Sequence, residues 1–207
     1  MIATPIPHNL ELMVSHGHRS PGLHVSDIYN ALYKKLDRQR YGDGPMNQVM
    51  VELGLAWEAA LEKALIERPT FEGEVIERPA ERQTEEGIYY SPDLFIYPSE
   101  VWEDISDVRL GEIKLKWMSS ADAPREVCAS FPSKYDKDFT QMKAYCHNIG
   151  TTHARYYVFY VNGGKRKDME YRFGPHEPYV WDIEFEQAEL DEEWAMLMNF
   201  AKSEGML

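Results

Sequence analysis

Between residues 46 and 67, Met50, Leu53, Trp57, Leu61 and Leu65 recur at threes and fours, a pattern that predicts an amphipathic helix stopped by Pro69. Ile28, Leu32 and Leu36 follow the same period, so a shorter helix is expected from an N-cap at Ser26 to about Arg38. Beyond residue 72 the period changes to two. Segments 73–82, 87–97 and 108–118 read as three strands, with an acidic, turn-like connection at 98–107. A loop over 119–135 leads into a helix over 136–149, ended by Gly150, and ARYYVFYVN at 154–162 is a strand rich in aromatic and β-branched residues. One or two further strands are expected in 171–186, then an acidic helix over 187–203. Helix, three strands, helix, strand is a mixed α/β order, αβββαβ, which predicts a central sheet flanked by helices.

Composition narrows the class. A chain of 207 residues buries a sizeable core and reads as one domain: an arm and helix at 1–45, a core at 46–162 and a C-terminal section at 163–207. No window reaches the apolar length of a membrane span, and the first 18 residues lack the pattern of a secretory signal, so a cytoplasmic protein with no membrane partner is expected. Cys128 and Cys146 supply neither a disulfide framework nor a CxxC pair, which leaves oxygen ligands, or histidine, for any metal.

The net charge of −13 argues against a phosphate-rich partner until its distribution is read. Lys and Arg against Asp and Glu number 10 to 20 in residues 1–113, 11 to 6 in 114–172 and 1 to 9 in 173–207. The middle section is locally basic between two acidic flanks, and local sign governs docking. A solvated acidic surface with a basic stretch in it is the plainer alternative.

The candidate chemistry lies where that basic section begins. In the third strand Glu112, Lys114 and Lys116 share one face, while Ile113, Leu115 and Trp117 share the other. Asp93 follows Pro92 in the preceding strand, and a hairpin would bring it beside Glu112. Two carboxylates with one lysine repel each other unless a divalent cation, Mg²⁺ or in its place Mn²⁺, relieves them. The same spacing also suits an exposed hairpin face with a cross-strand ion pair. Glu58, after Trp57 in the long helix, either adds a third carboxylate or points to solvent beside Glu62. Gln141 and Tyr145, with Lys137 one turn earlier, share a face of the next helix and suit a phosphate or a base edge, or else a half-buried tyrosine. The aromatics at 156–160 and Trp117 read as core, Lys165, Arg166 and Lys167 as a basic turn, and His16 and His18 as solvated.

Pro92-Asp93, Glu112-x-Lys114 and Gln141-x3-Tyr145, in this element order, resemble the PD-(D/E)xK nuclease superfamily, with a restriction-endonuclease-like core over about 46–162. Gln-x3-Tyr and Gly54-x3-Glu58 are similar to its RecB-like and lambda-exonuclease-like branch. The resemblance implies Asp93, Glu112 and Lys114 as catalytic. It implies Mg²⁺ held by Asp93 and Glu112, with the Ile113 carbonyl and Glu58, and DNA binding or site ordering by Gln141 and Tyr145. Lys116 and Lys137 join them as DNA contacts. A histidine takes the place of Glu58 in some members, and His16, His18 and His24 are the alternatives here. No iron–sulfur cluster is expected from two cysteines. The expected activity is metal-dependent DNA hydrolysis, exonucleolytic in phage-type recombination or repair, alongside a recombination or single-strand-binding protein and with homo-oligomers open. A restriction-type or junction endonuclease and a non-catalytic DNA- or protein-binding module are the rivals.

Overall fold

The computed structural model describes residues 19–37, 48–98, 108–117, 131–161 and 179–207. Four helices run over Val25–Leu36 (α1), Gln48–Glu67 (α2), Asp136–Ile149 (α3) and Gln187–Ser203 (α4). The strands are Val75–Glu77 (β1), Arg82–Gln83 (β2), Tyr89–Tyr90 (β3), Leu94–Tyr97 (β4), Arg109–Lys116 (β5), His153–Tyr160 (β6) and Tyr179–Glu184 (β7). Residues 99–107 of the expected 98–107 connection, the basic turn at 163–167, His16, His18 and Cys128 lie outside the described residues.

Five strands form one sheet in the order β1-β4-β5-β6-β7. β1, β4 and β5 pair antiparallel, β5 and β6 parallel, and β6 and β7 antiparallel. Parallel neighbours need a long crossover, and α3 lies in the chain between β5 and β6. Among the described residues the architecture is therefore a mixed α/β sheet flanked by helices, in the order expected from the sequence.

The sheet's two faces carry separate cores. On one, Leu61 and Leu65 of α2 pack against Ile76, Leu94, Ile96, Ile113 and Tyr157. On the other, α1, α3 and α4 bring Ile28, Met142 and Leu197 to the cluster that holds Phe95, Leu110, Tyr156 and Val158. Each fully buried aliphatic side chain contributes on the order of 2 kcal/mol relative to exposure. Alternation along β5 thus turns Ile113 toward α2 and leaves Glu112 and Lys114 for the face under α3.

Several local expectations change. The α1 N-cap is His24 rather than Ser26, because Asp27 reaches back to accept the His24 N–H at 3.0 Å. Leu53, expected on the buried stripe of α2, is 46% exposed, and Trp117, expected in the core, is 38% exposed. Residues 73–82 do not form one strand: β1 is short, and β2 turns back to pair with β3 instead. The 119–135 loop ends in a 3₁₀ turn at Ser133–Tyr135. α3 begins and ends as predicted, with Gly150 left-handed at φ 83° and its N–H bonded to the Cys146 carbonyl.

Candidate active site

Pro92 has no N–H to give a sheet, and the predicted strand 87–97 breaks there into β3 and β4. Asp93 stands at the break. The β4–β5 register pairs Leu94 with Gly111, so one step further sets Asp93 opposite Glu112. Gly111 permits the close approach: a β-carbon there would lie 2.7 Å from the Leu94 β-carbon. Asp93 is fixed by a hydrogen bond in which the Ile113 N–H donates to its Oδ2 at 2.8 Å.

Glu112 is 0% exposed, and its Oε1 accepts from the Lys114 ammonium two residues along the same face. Its other oxygen, Oε2, is buried without a hydrogen-bond partner. Burial, then the neighbouring Asp93 charge, push the Glu112 carboxyl well above its usual range, and Lys114 pulls it back. Burial works against charge on Lys114, but Glu112 and then Asp93 outweigh it and hold the ammonium well above its ordinary pKa. Lys114 therefore remains a cation at neutral pH.

Glu58 joins this group from α2. Its carboxyl is near enough to that of Asp93 for the two to share a hydrogen bond when one is protonated, and burial followed by the Asp93 charge raise the Glu58 pKa from 4.5 to about 7. Of the two roles open to Glu58 in the sequence, the fold selects the neighbour of Asp93. Three carboxyls and one lysine thus share the site, and below about pH 7 a proton on Glu58 offsets part of the negative charge.

α3 brings Gln141 and Tyr145 to the same side, as their spacing predicts, and both are buried. Tyr145 packs on Tyr90 at 5.5 Å between ring centroids, so it braces the site from behind. Lys116 forms an ion pair with Asp138, which also accepts from the Tyr156 hydroxyl at 2.5 Å. The sequence reading gave Lys116 to DNA alone and overlooked Asp138, whose place in the first turn of α3 looks like ordinary complement to the helix dipole. Burial lowers the Lys137 pKa, and the Lys116, Lys114 and Lys34 charges lower it further against Asp138, so Lys137 lies within electrostatic reach of three other lysines. Tyr29 of α1 was also missed. It is buried, and its hydroxyl donates to Gln141 Oε1 at 3.0 Å across 112 positions of chain, a separation at which no local pattern signals contact.

The donor set suits a hard divalent cation. Its ligands would be Asp93 and Glu112, with Glu58 and the Ile113 carbonyl, and the unpartnered Glu112 Oε2 is a buried acceptor of the kind such an ion satisfies. Among the described residues no three His, Cys, Asp or Glu side chains are already gathered into an ion cage. His24 is engaged elsewhere: its ring nitrogens face the Ser20 carbonyl at 2.9 Å and Glu81 at 3.5 Å.

Fold and site together define a mixed α/β protein with a carboxylate–lysine centre at a break in its central hairpin. No protein-family model matches the chain, and no curated protein matches it. Among solved structures it is similar to an alkaline exonuclease, LHK-Exo, from Laribacter hongkongensis, at 17% identity over 88% of this chain and 89% of that one, with a TM-score of 0.47. The same enzyme in complex with dAMP matches at 15% identity over 88% and 89%, with a TM-score of 0.47. A structure described as SSO0001 matches at 16% identity over 88% and 79%, with a TM-score of 0.38. No described helix is long and apolar enough to cross a membrane.

Proposed function

We propose that this chain is a divalent-metal-dependent deoxyribonuclease that hydrolyses DNA phosphodiester bonds. The observation that carries the proposal is the convergence of Asp93, Glu112 and Lys114 on one partly buried spot, with Glu58 beside Asp93 and an acceptor oxygen of Glu112 left over. A bound Mg²⁺ or Mn²⁺ supplies Lewis acidity toward the phosphate and the attacking water. Glu112 and Asp93 keep Lys114 an ammonium, so Lys114 serves as a hydrogen-bond donor to the charge that builds on the phosphate oxygens, not as a base. Asp93 is held in place by the Ile113 N–H, and Tyr145 braces the Gln141 turn of α3. Lys34, Lys116 and Lys137 favour approach of a phosphate backbone to an otherwise acidic molecule.

Within this reading the substrate is a DNA end in phage-type recombination or repair, processed in the cytoplasm alongside a recombination or single-strand-binding protein. That finer part rests on the resemblance of the Gln-x3-Tyr and Gly-x3-Glu motifs. The test is digestion of linear and covalently closed DNA with Mg²⁺, Mn²⁺ or EDTA, beside Lys114→Ala. Loss of linear DNA alone, dependent on metal and absent in the variant, is expected. Cutting of closed circles would replace the exonuclease with an endonuclease, and folded protein that cuts nothing with either metal would favour a non-catalytic binding module.

A further inference from the structure

Gln141, a buried polar side chain of α3, takes a hydrogen bond from α1, an element outside the expected nuclease core. We propose that Tyr29 is a positioning residue of this site: its phenol holds the Gln141 carbonyl oxygen and so leaves the amide NH₂ as the part of Gln141 offered to the DNA strand. The inference rests on the nuclease reading and extends it to a helix that the sequence motifs do not include.

The geometry is specific. The Tyr29 hydroxyl donates to Gln141 Oε1 at 3.0 Å, and the Lys137 ammonium lies 5.8 Å from the centre of the Tyr29 ring. Gln141 follows Lys137 by one helical turn, so one tyrosine meets two neighbouring residues of the same α3 face. An amide whose oxygen is taken has its two N–H donors directed elsewhere, and those donors are what a phosphate oxygen accepts. Burial raises the Tyr29 pKa. Lys114 opposes that rise, while Glu112, Asp138 and Asp93 add to it, so the phenol lies within electrostatic reach of the whole centre and keeps its proton.

Docking of α1 does not need this hydroxyl. Val25, Ile28 and Leu32 are buried against the body, and Tyr33 bonds Thr140 at 3.1 Å, with Thr140 in turn donating to Glu193 at 2.5 Å. Tyr29→Phe keeps the ring and its packing, so it removes the orienting bond alone.

The experiment is a double-mutant cycle on the full chain with Tyr29→Phe, Gln141→Met and the pair, each first checked for wild-type melting. Two readouts are taken: binding of a labelled DNA oligonucleotide in EDTA, and steady-state cleavage of linear DNA with the metal that supports the wild type. Tyr29→Phe should weaken DNA binding and raise KM by about tenfold with little change in kcat, the size expected for one lost hydrogen-bond contribution. The double variant should match Gln141→Met. Effects that multiply, or a Tyr29→Phe protein that binds as wild type does, would overturn the proposal. Wild-type protein that binds DNA but cuts none would end the nuclease reading while the binding cycle still decides the role of Tyr29. Wild-type protein that neither binds nor cuts overturns both.

Discussion

Glu58→Gln isolates the proton shared with Asp93. In the folded chain burial and the Asp93 charge raise Glu58 from 4.5 to about 7, so between those values the folded state holds a proton that the unfolded state has released. Stability must then fall as pH rises through that interval, because the folded state binds more protons there. The penalty is absent below about pH 4.5 and complete above about pH 7. At about 1.36 kcal/mol per pH unit it comes to roughly 3 kcal/mol. Glutamine keeps a donor for Asp93 and does not titrate. The variant should therefore melt with the wild type at pH 5 and above it at pH 8, by about 6–10 °C for a domain of this size. Circular-dichroism melts in EDTA at pH 5, 6, 7 and 8 make the measurement. A difference between the two proteins that stays constant across the series, or that shrinks as pH rises, would refute the shared proton.

Three further perturbations follow from the same geometry. Gly111→Ala would force a β-carbon to within 2.7 Å of Leu94 and 3.3 Å of Ile96, and should cost about 1–3 kcal/mol in urea unfolding; an unchanged midpoint would mean that β4 and β5 are not packed this closely. Arg155 is buried between Glu74, at 2.8 and 2.9 Å, and Asp182, at 2.5 and 3.1 Å, so Arg155→Met should strand Glu74 and destabilise by about 3–5 kcal/mol, whereas a loss under 1 kcal/mol would show the network to be dispensable. Mn²⁺ at about 100 times its dissociation constant should stabilise the wild type by about 2.7 kcal/mol and leave Asp93→Asn unmoved; equal gains in both would place the ion elsewhere.

What was legible in the sequence was local. Alternation alone puts Glu112 and Lys114 on one face of β5, and the helical period alone puts Gln141 above Tyr145 in α3, with Gly150 closing the helix. These follow from backbone geometry two to four residues apart, and any fold that keeps the strand and the helix keeps them. Where the chain meets itself again was decided by the tertiary structure. The β4–β5 register brings Asp93 to Glu112, the packing of α2 turns Glu58 to Asp93 and leaves Leu53 outside, and Asp138 takes Lys116. Tyr29 reaches Gln141 because α1 lies against α3. Such contacts depend on which distant surfaces bury the most apolar area together, and periodicity within one element carries no record of its partner.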